Sequence, residues 1–211
     1  MSHDDFHFEP VRGLPEALPK DERILWQGSP VPLRLAIEAL KLRWIAGYFA
    51  ALAAWRVAVS AAEVPLAQAL GHALPLVIVG LAACALIYIV ARVQARAAVY
   101  TLTNKRVVMR IGAALTLSLN LPYTQIGTAQ LDRRRGGTGT LAFELIGAPQ
   151  ISYLMTWPHN RPWHVGRCQP ALRCIPDAAR VAAIFADAAE ARVAEPQLER
   201  SPAAPHALAA E

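Results

Sequence analysis

Residues Leu70–Ala91 read LGHALPLVIVGLAACALIYIVA and carry no charged side chain. A helix needs about 20 predominantly apolar residues to cross the hydrocarbon of a bilayer. A core helix of a soluble protein normally keeps a polar face over that length. The stretch therefore predicts a transmembrane helix. Pro75 is placed near its start, where a missing N–H costs least, and Tyr88 near its exit, where aromatic side chains gather.

An earlier run, Trp44–Ala62, reads WIAGYFAALAAWRVAVSAA and suits a second span. Arg56 is its one charge. A cation at mid-bilayer costs about 2.5–3.5 kcal/mol on insertion scales, but a head group near the end of a span snorkels outward along its own stem. An intramembrane carboxylate partner for Arg56 is the alternative. The turn Glu63–Ala69 holds no Lys or Arg, whereas Arg34, Lys41 and Arg43 precede the first span and Arg92, Arg96, Lys105 and Arg106 follow the second. The positive-inside bias places both termini in the cytoplasm. Gly47, Gly80 and Ala83 are small enough to let two helices approach closely. The first candidate partner of each span is the other; self-association into a homo-oligomer, or contact with the helices of another membrane protein, is the second. His72, beside the second span, reads as a hydrated interfacial residue rather than a ligand of a bound group.

The composition agrees with lipid: the chain is 55% apolar, with net charge +5. The three cysteines, Cys84, Cys168 and Cys174, form no disulfide framework. In a reducing cytoplasm Cys168 and Cys174 are expected as free thiols. The polar start MSHDDFHFEP is no cleavable signal peptide.

Beyond the spans the periodicity becomes two. Tyr100–Gly112, YTLTNKRVVMRIG, predicts a hairpin turning at Asn104-Lys105. Strands are expected at Leu115–Leu121, Ile126–Leu131, Thr140–Ile146, Gln150–Met155 and Ala171–Ile175, separated by Gly- and Pro-bearing turns. Pro176-Asp177 then opens a helix whose Val181, Ile184, Phe185 and Ala188 form one apolar stripe. This predicts an antiparallel sandwich or small barrel closed by an amphipathic helix. The Pro- and Ala-rich tail from Glu195 reads as disordered.

Tyr100–Gly112, the Gly139-Thr140 pair and Ile175–Phe185 (IPDAARVAAIF) resemble the bacterial pleckstrin-homology-like domain, whose members often carry a Glu-x-Ile-Leu-Trp-x-Gly stretch before a membrane hairpin. Glu22–Gly28 reads ERILWQG. Four longer runs resemble the photosynthetic-complex assembly protein (PuhB) family of purple bacteria: FEPVRGLPEALP from Phe8, RIGAALTLSLNLPYTQI from Arg110, SYLMTWPHNRPW from Ser152 and QPALRCIPDAARVA from Gln169. The resemblance spans nearly the whole chain except the tail. It implies a non-enzymatic factor that helps assemble the reaction centre with light-harvesting complex 1 in the photosynthetic inner membrane. It brings no site residues.

The resulting expectation is an α+β membrane protein: an N-terminal cytoplasmic segment (1–43), a transmembrane helical hairpin (44–91), a PH-like antiparallel β-barrel with a C-terminal amphipathic helix (92–194) and a tail (195–211). Its candidate site is the stretch Tyr153–Arg167, YLMTWPHNRPWHVGR. A metal set of His159, His164, Cys168 and Cys174 has loose spacing. A Cys–His nucleophile lacks an orienting third group. The run RRRGGTG lacks the strand-to-helix setting of a phosphate loop, and neither H-E-x-x-H nor G-x-S-x-G occurs. No catalysis, metal or cofactor is therefore expected. A loop of that length inside a compact domain is usually functional, and tryptophan and arginine are enriched in binding hot spots. Trp157, His159, Arg161, Trp163 and His164 are read as a partner-docking surface. The alternative is a lid, with both tryptophans tucked into the barrel. Arg133, Arg134 and Arg135 at a hairpin tip are read as a lipid-surface contact, against a plain solvated turn. Residues 92–194 carry a net +8, and an anionic leaflet attracts basic groups by about 1 kcal/mol each. That accounts for the charge without nucleic acid.

Overall fold

The computed structural model describes residues 11–194, apart from 15, 114, 135 and 148–150. The expected tail and the first ten residues lie outside the described residues. The chain is mixed α/β. It runs β1 (Ile24–Gly28), α1 (Pro32–Glu38), α2 (Leu42–Ser60), α3 (Leu66–Ala97), β2 (Val99–Thr103), β3 (Arg106–Ile111), β4 (Leu117–Pro122), β5 (Ile126–Arg133), β6 (Gly139–Leu145), α4 (Tyr153–Thr156), β7 (Ala171–Ile175) and α5 (Ala178–Ala194).

Helices α2 and α3 are long and apolar enough to cross a membrane by length and composition. They pack against each other as a hairpin. A Cβ on Gly80 would lie 2.7 Å from the Phe49 Cβ, so this glycine lets the phenyl ring of α2 close onto α3. A Cβ on Gly47, expected to do the same, would meet nothing within 4 Å among the described residues outside its own helix backbone. Across the hairpin turn, His72 Nδ1 meets Ser60 Oγ at 3.2 Å. Pro75 is not near a helix start: α3 opens four residues earlier than the uncharged run, behind the cap at Pro65, and Pro75 sits well inside it.

The strands form two antiparallel sheets, β1-β2-β3-β4 and β5-β6-β7. Among the described residues they do not pair into one closed barrel. Asn104-Lys105 makes the expected two-residue turn between β2 and β3. The 1–43 segment is not separate from the sheet, because β1 pairs along β2, with Gly28 opposite Tyr100 and Gln27 opposite Thr101. The apolar hairpin is thus an excursion between two neighbouring strands. The expected strand Gln150–Met155 is also corrected. Its described part turns into the short helix α4, where the Thr156 hydroxyl donates to the Ser152 carbonyl at 3.0 Å.

The core lies between the inner faces of the sheets and α5. Tyr100, Leu102 and Met109 meet Leu141, Phe143 and Leu172, and α5 presses Val181, Phe185 and Ala188 onto them. Phe185 touches Tyr123 edge-on, with ring centroids 5.4 Å apart, and Phe143 at 5.1 Å. Ile184, the fourth member of the expected stripe, is half-buried. Gly139 allows α5 to dock, since a Cβ there would lie 2.7 Å from the Ala178 Cβ.

Candidate docking site

The loop from α4 to β7 has a clamped base and an open tip. At its base Pro158, His159 and Asn160 are buried. The Asn160 side-chain amide donates to the Tyr153 carbonyl at 2.9 Å and to the Thr156 hydroxyl at 3.2 Å. The backbone N–H groups of Ala171 and Arg161 donate to the carbonyls of His159 and Gln169, both at 2.9 Å. Arg161 Nη1 also donates to Gln169 Oε1 at 3.0 Å. The peptide bond before Pro158 is cis. At the tip, Trp163 is 89% exposed and holds a left-handed backbone with φ 67°. His164 donates through Nδ1 to the Pro162 carbonyl at 2.9 Å.

The five expected docking residues therefore separate. Trp163 stands in solvent, Trp157 is 41% exposed, and Arg161 and His164 are half-buried. Neither tryptophan is tucked into the core as a lid. His159 is corrected as a surface residue: it is 1% exposed, because the hydrogen bonds at the loop base draw it inward. Its Nδ1 meets the Tyr100 hydroxyl at 2.5 Å. Burial lowers the His159 pKa to about 3, and the nearby Arg173 guanidinium acts in the same sense. Desolvation likewise raises the Tyr100 hydroxyl far above its ordinary range.

His159, His164, Cys168 and Cys174 are not gathered. Among the described residues no cluster of three or more His, Cys, Asp or Glu side chains is placed to hold a metal. Cys168 Sγ lies 3.4 Å from the Thr156 hydroxyl. Cys174 packs with Leu35 and Ala95. Burial first, and then the Glu38 carboxylate, pushes its thiol up to about 12.

Arg133 and Arg134 sit at the expected hairpin tip, where Gly136 and Gly137 adopt φ of 91° and 79°, a conformation that costs glycine little. Arg135 lies outside the described residues. Arg133 is exposed. Arg134 is paired, with Asp132 at 2.8 Å and Glu38 at 3.8 Å.

A cavity of about 490 Å³ lies on the outer face of β5–β7. Gln130, Asp132 and Thr140 line one side, and Arg161, Trp163 and His164 of the loop line the other. Glu38 and Arg134 also border it, as does Arg173 from β7. Arg173 is 6% exposed; its Nη1 donates to the Pro158 carbonyl at 3.3 Å, and among the described residues its buried Nε has no hydrogen-bond partner. Sequence reasoning passed over Arg173 and Glu38. A basic residue in the otherwise apolar strand ALRCI was the available signal.

Two apolar helices lie between the first two strands of a two-sheet β module that carries a closing helix. Residues 40–189 match the family model described as bacterial PH domain, and the chain belongs to that family. It is also 44% identical, over 99% of both chains, to an uncharacterized 23.7 kDa protein in the puhA 5′ region of Rhodobacter capsulatus. A solved pleckstrin-homology-domain protein from Shewanella loihica is similar at 13% identity, covering 44% of this chain and 71% of the other, with a TM-score of 0.30.

Proposed function

We propose that the protein is a non-enzymatic, membrane-anchored assembly factor for the photosynthetic reaction centre and light-harvesting complex 1. In this reading α2 and α3 span the inner membrane with both termini in the cytoplasm, and the β module holds incoming subunits at that face. The observation that carries it is the loop: Trp163 is 89% exposed on a segment whose base is clamped by buried side chains. Such a tip loses little conformational freedom on binding, and tryptophan dominates contact energies where it becomes desolvated. The relative from Rhodobacter capsulatus, named for its position beside the photosynthesis gene puhA, supports the photosynthetic setting. The apolar outer faces of α2 and α3 support the anchoring, with Trp44, Tyr48 and Trp55 exposed on α2.

The test is a mild-detergent pull-down of the full chain from photosynthetically grown cells, with mass spectrometry and an absorption spectrum of the eluate. Reaction-centre or antenna polypeptides should co-purify, and Trp163→Ala should weaken their recovery. A chain that stays in the aqueous fraction, or a residue 157 labelled from the periplasmic side, ends this reading.

A further inference from the structure

We infer that the free edge of β5 takes an extended, acidic segment of a partner polypeptide as an added strand, an inference that rests on the docking reading of the loop above. The four sheet edges are not alike. β1 is short, and its register with β2 shifts between Ile24 and Trp26. β4 ends in Pro122, which has no N–H to offer. The outer edge of β7 is covered: the Cys174 carbonyl accepts from the Val31 N–H at 2.9 Å, and Leu35 of α1 packs on Cys174. β5 has eight residues, and among the described residues it pairs with β6 alone.

Proteins blunt such an edge with lysine, proline, a bulge or a covering segment. Here Ile126–Leu131 reads IGTAQL, with no charge and no proline. The one shift in its pairing lies between Ile126 and Thr128, so Thr128–Arg133 stays in continuous register with β6. Gly127, Thr128, Ala129 and Gln130 are exposed. Two hydrogen bonds fix which backbone groups face outward. The Arg134 N–H donates to the Thr138 carbonyl at 2.8 Å, and the Phe143 N–H turns away from β5 to the Pro170 carbonyl at 2.9 Å. Antiparallel pairs alternate between bonded and unbonded, so the N–H and C=O groups of Ala129, Leu131 and Arg133 point away from β6. They offer a ladder to one more strand.

The chemistry of the occupant follows from what flanks this edge. A strand paired with β5 stands about 4.8 Å from it, and every second side chain falls beside Gln130 and Asp132 on the outer face. Both residues line the cavity that Arg161, Trp163 and His164 of the loop border from the other side. Asp132 is engaged by Arg134 at 2.8 Å, whereas Arg161 donates to the neutral Gln169 side chain at 3.0 Å. From Leu145 to Pro176 the chain carries Arg161, Arg167 and Arg173 and no Asp or Glu. That balance suits acidic side chains at alternate positions of an extended segment, with the exposed indole of Trp163 as an apolar cover. Backbone pairing supplies the affinity and the cavity the choice of side chain.

The experiment is fluorescence anisotropy of labelled, overlapping peptides from the cytoplasmic segments of reaction-centre and antenna polypeptides, titrated with the full chain in detergent. An acidic peptide should bind. N-methylation of its backbone should block binding at every second residue and be tolerated between. Ala129→Pro removes an N–H that β6 does not use and should weaken binding about tenfold. Arg161→Gln, or Gln in place of the peptide's acidic residues, should weaken it as well. Methylation sensitivity without alternation, unchanged binding to Ala129→Pro, or no bound peptide overturns the strand pairing. The methylation series uses the native chain, so it decides the matter even if Ala129→Pro fails to fold. Equal binding of the neutral peptide overturns the acidic assignment. A dimer that Ala129→Pro dissolves and that excludes the peptides overturns the partner assignment in favour of a second copy. Recovery of pigment polypeptides from cells by Ala129→Pro, lost in Trp163→Ala, removes the strand pairing and leaves the scaffold. Alternating methylation sensitivity with no recovery from cells removes the scaffold alone.

Discussion

The Tyr100 hydroxyl and His159 Nδ1 meet at 2.5 Å, tying the first sheet to the base of the loop that leaves the second. The rings lie edge to face with centroids 5.8 Å apart. The Arg173 backbone N–H points at the same phenol oxygen at 3.4 Å. The tip bearing Trp163 is therefore held through a polar contact in the interior, and that contact is sensitive to protons.

Acid should loosen this link. The folded state holds the His159 pKa at about 3, against 6.5 for a free imidazole. Below 6.5 the unfolded chain binds a proton that the folded chain refuses, so stability is complete above that pH and falls as pH drops towards 3. The slope is at most about 1.4 kcal/mol per pH unit from this group. Thermal melts in detergent between pH 7.5 and 5 should show the decline, and His159→Gln should flatten it. An equal decline in the variant assigns the effect elsewhere.

Tyr100→Phe keeps the ring and removes the hydroxyl. Among the described residues His159 Nε2 already has no partner, so the variant leaves both imidazole nitrogens unsatisfied in the interior. The expected loss is about 1–3 kcal/mol, read as a lowered melting temperature.

Gly80 makes room for a close contact in the helix hairpin. Gly80→Leu drives its new atoms into Phe49, whose Cβ is 2.7 Å from where the substituent would begin. Overpacking of this kind costs about 1–3 kcal/mol. Phe49→Ala in the same chain should recover part of it, whereas Gly47→Leu, which meets nothing within 4 Å, should cost far less. Equal effects at the two glycines would show that α2 and α3 pack differently.

Two aromatic residues should behave in opposite ways. Phe185 is 7% exposed, and Phe185→Ala removes the ring that joins Tyr123 and Phe143, at about 3–5 kcal/mol. Trp163→Ala removes a side chain in solvent and should shift stability by no more than about 0.5 kcal/mol. A lowered recovery of partners in the latter then reports binding, not unfolding.

The cysteines should react in order. Cys174 is 1% exposed, with its thiol pushed up to about 12. Cys168 is half-buried on the loop. A maleimide at pH 7.5 should modify Cys168 in the folded chain and reach Cys174 only after denaturation, as peptide mapping would show. Early labelling of Cys174 would mean that α1 does not stay against β7.

What can be read without coordinates here follows from local chemistry. Asn104-Lys105 between two β-branched runs encodes its own turn, and the α5 stripe at Val181, Phe185 and Ala188 encodes its own burial. The uncharged run Leu70–Ala91 likewise announces a long helix. Readings fail where distant partners decide. Gln150–Met155 alternates like a strand, yet Thr156 and Asn160 use their side chains to satisfy a helical turn. His159 looks like a surface residue beside two tryptophans, but the hydrogen bonds at the loop base and the Tyr100 hydroxyl, far away in the chain, hold it in the interior. Arg173 belongs to a cavity whose other walls come from α1, β5, β6 and the loop, a convergence that no spacing rule signals.

The pairing of β1 with β2 also sets an order of events. Ile24–Gly28 leaves the ribosome long before Val99–Thr103, with both apolar helices between them. During that interval a nascent strand bearing Leu25 and Trp26 has no neighbour to hydrogen-bond. Closure of the α2–α3 hairpin brings Gly28 back beside Tyr100, so the β1–β2 edge waits on the helices while β2, β3 and β4 pair locally. Mutations that delay that step should expose the early strand to chaperones and proteases even where the finished protein would be stable.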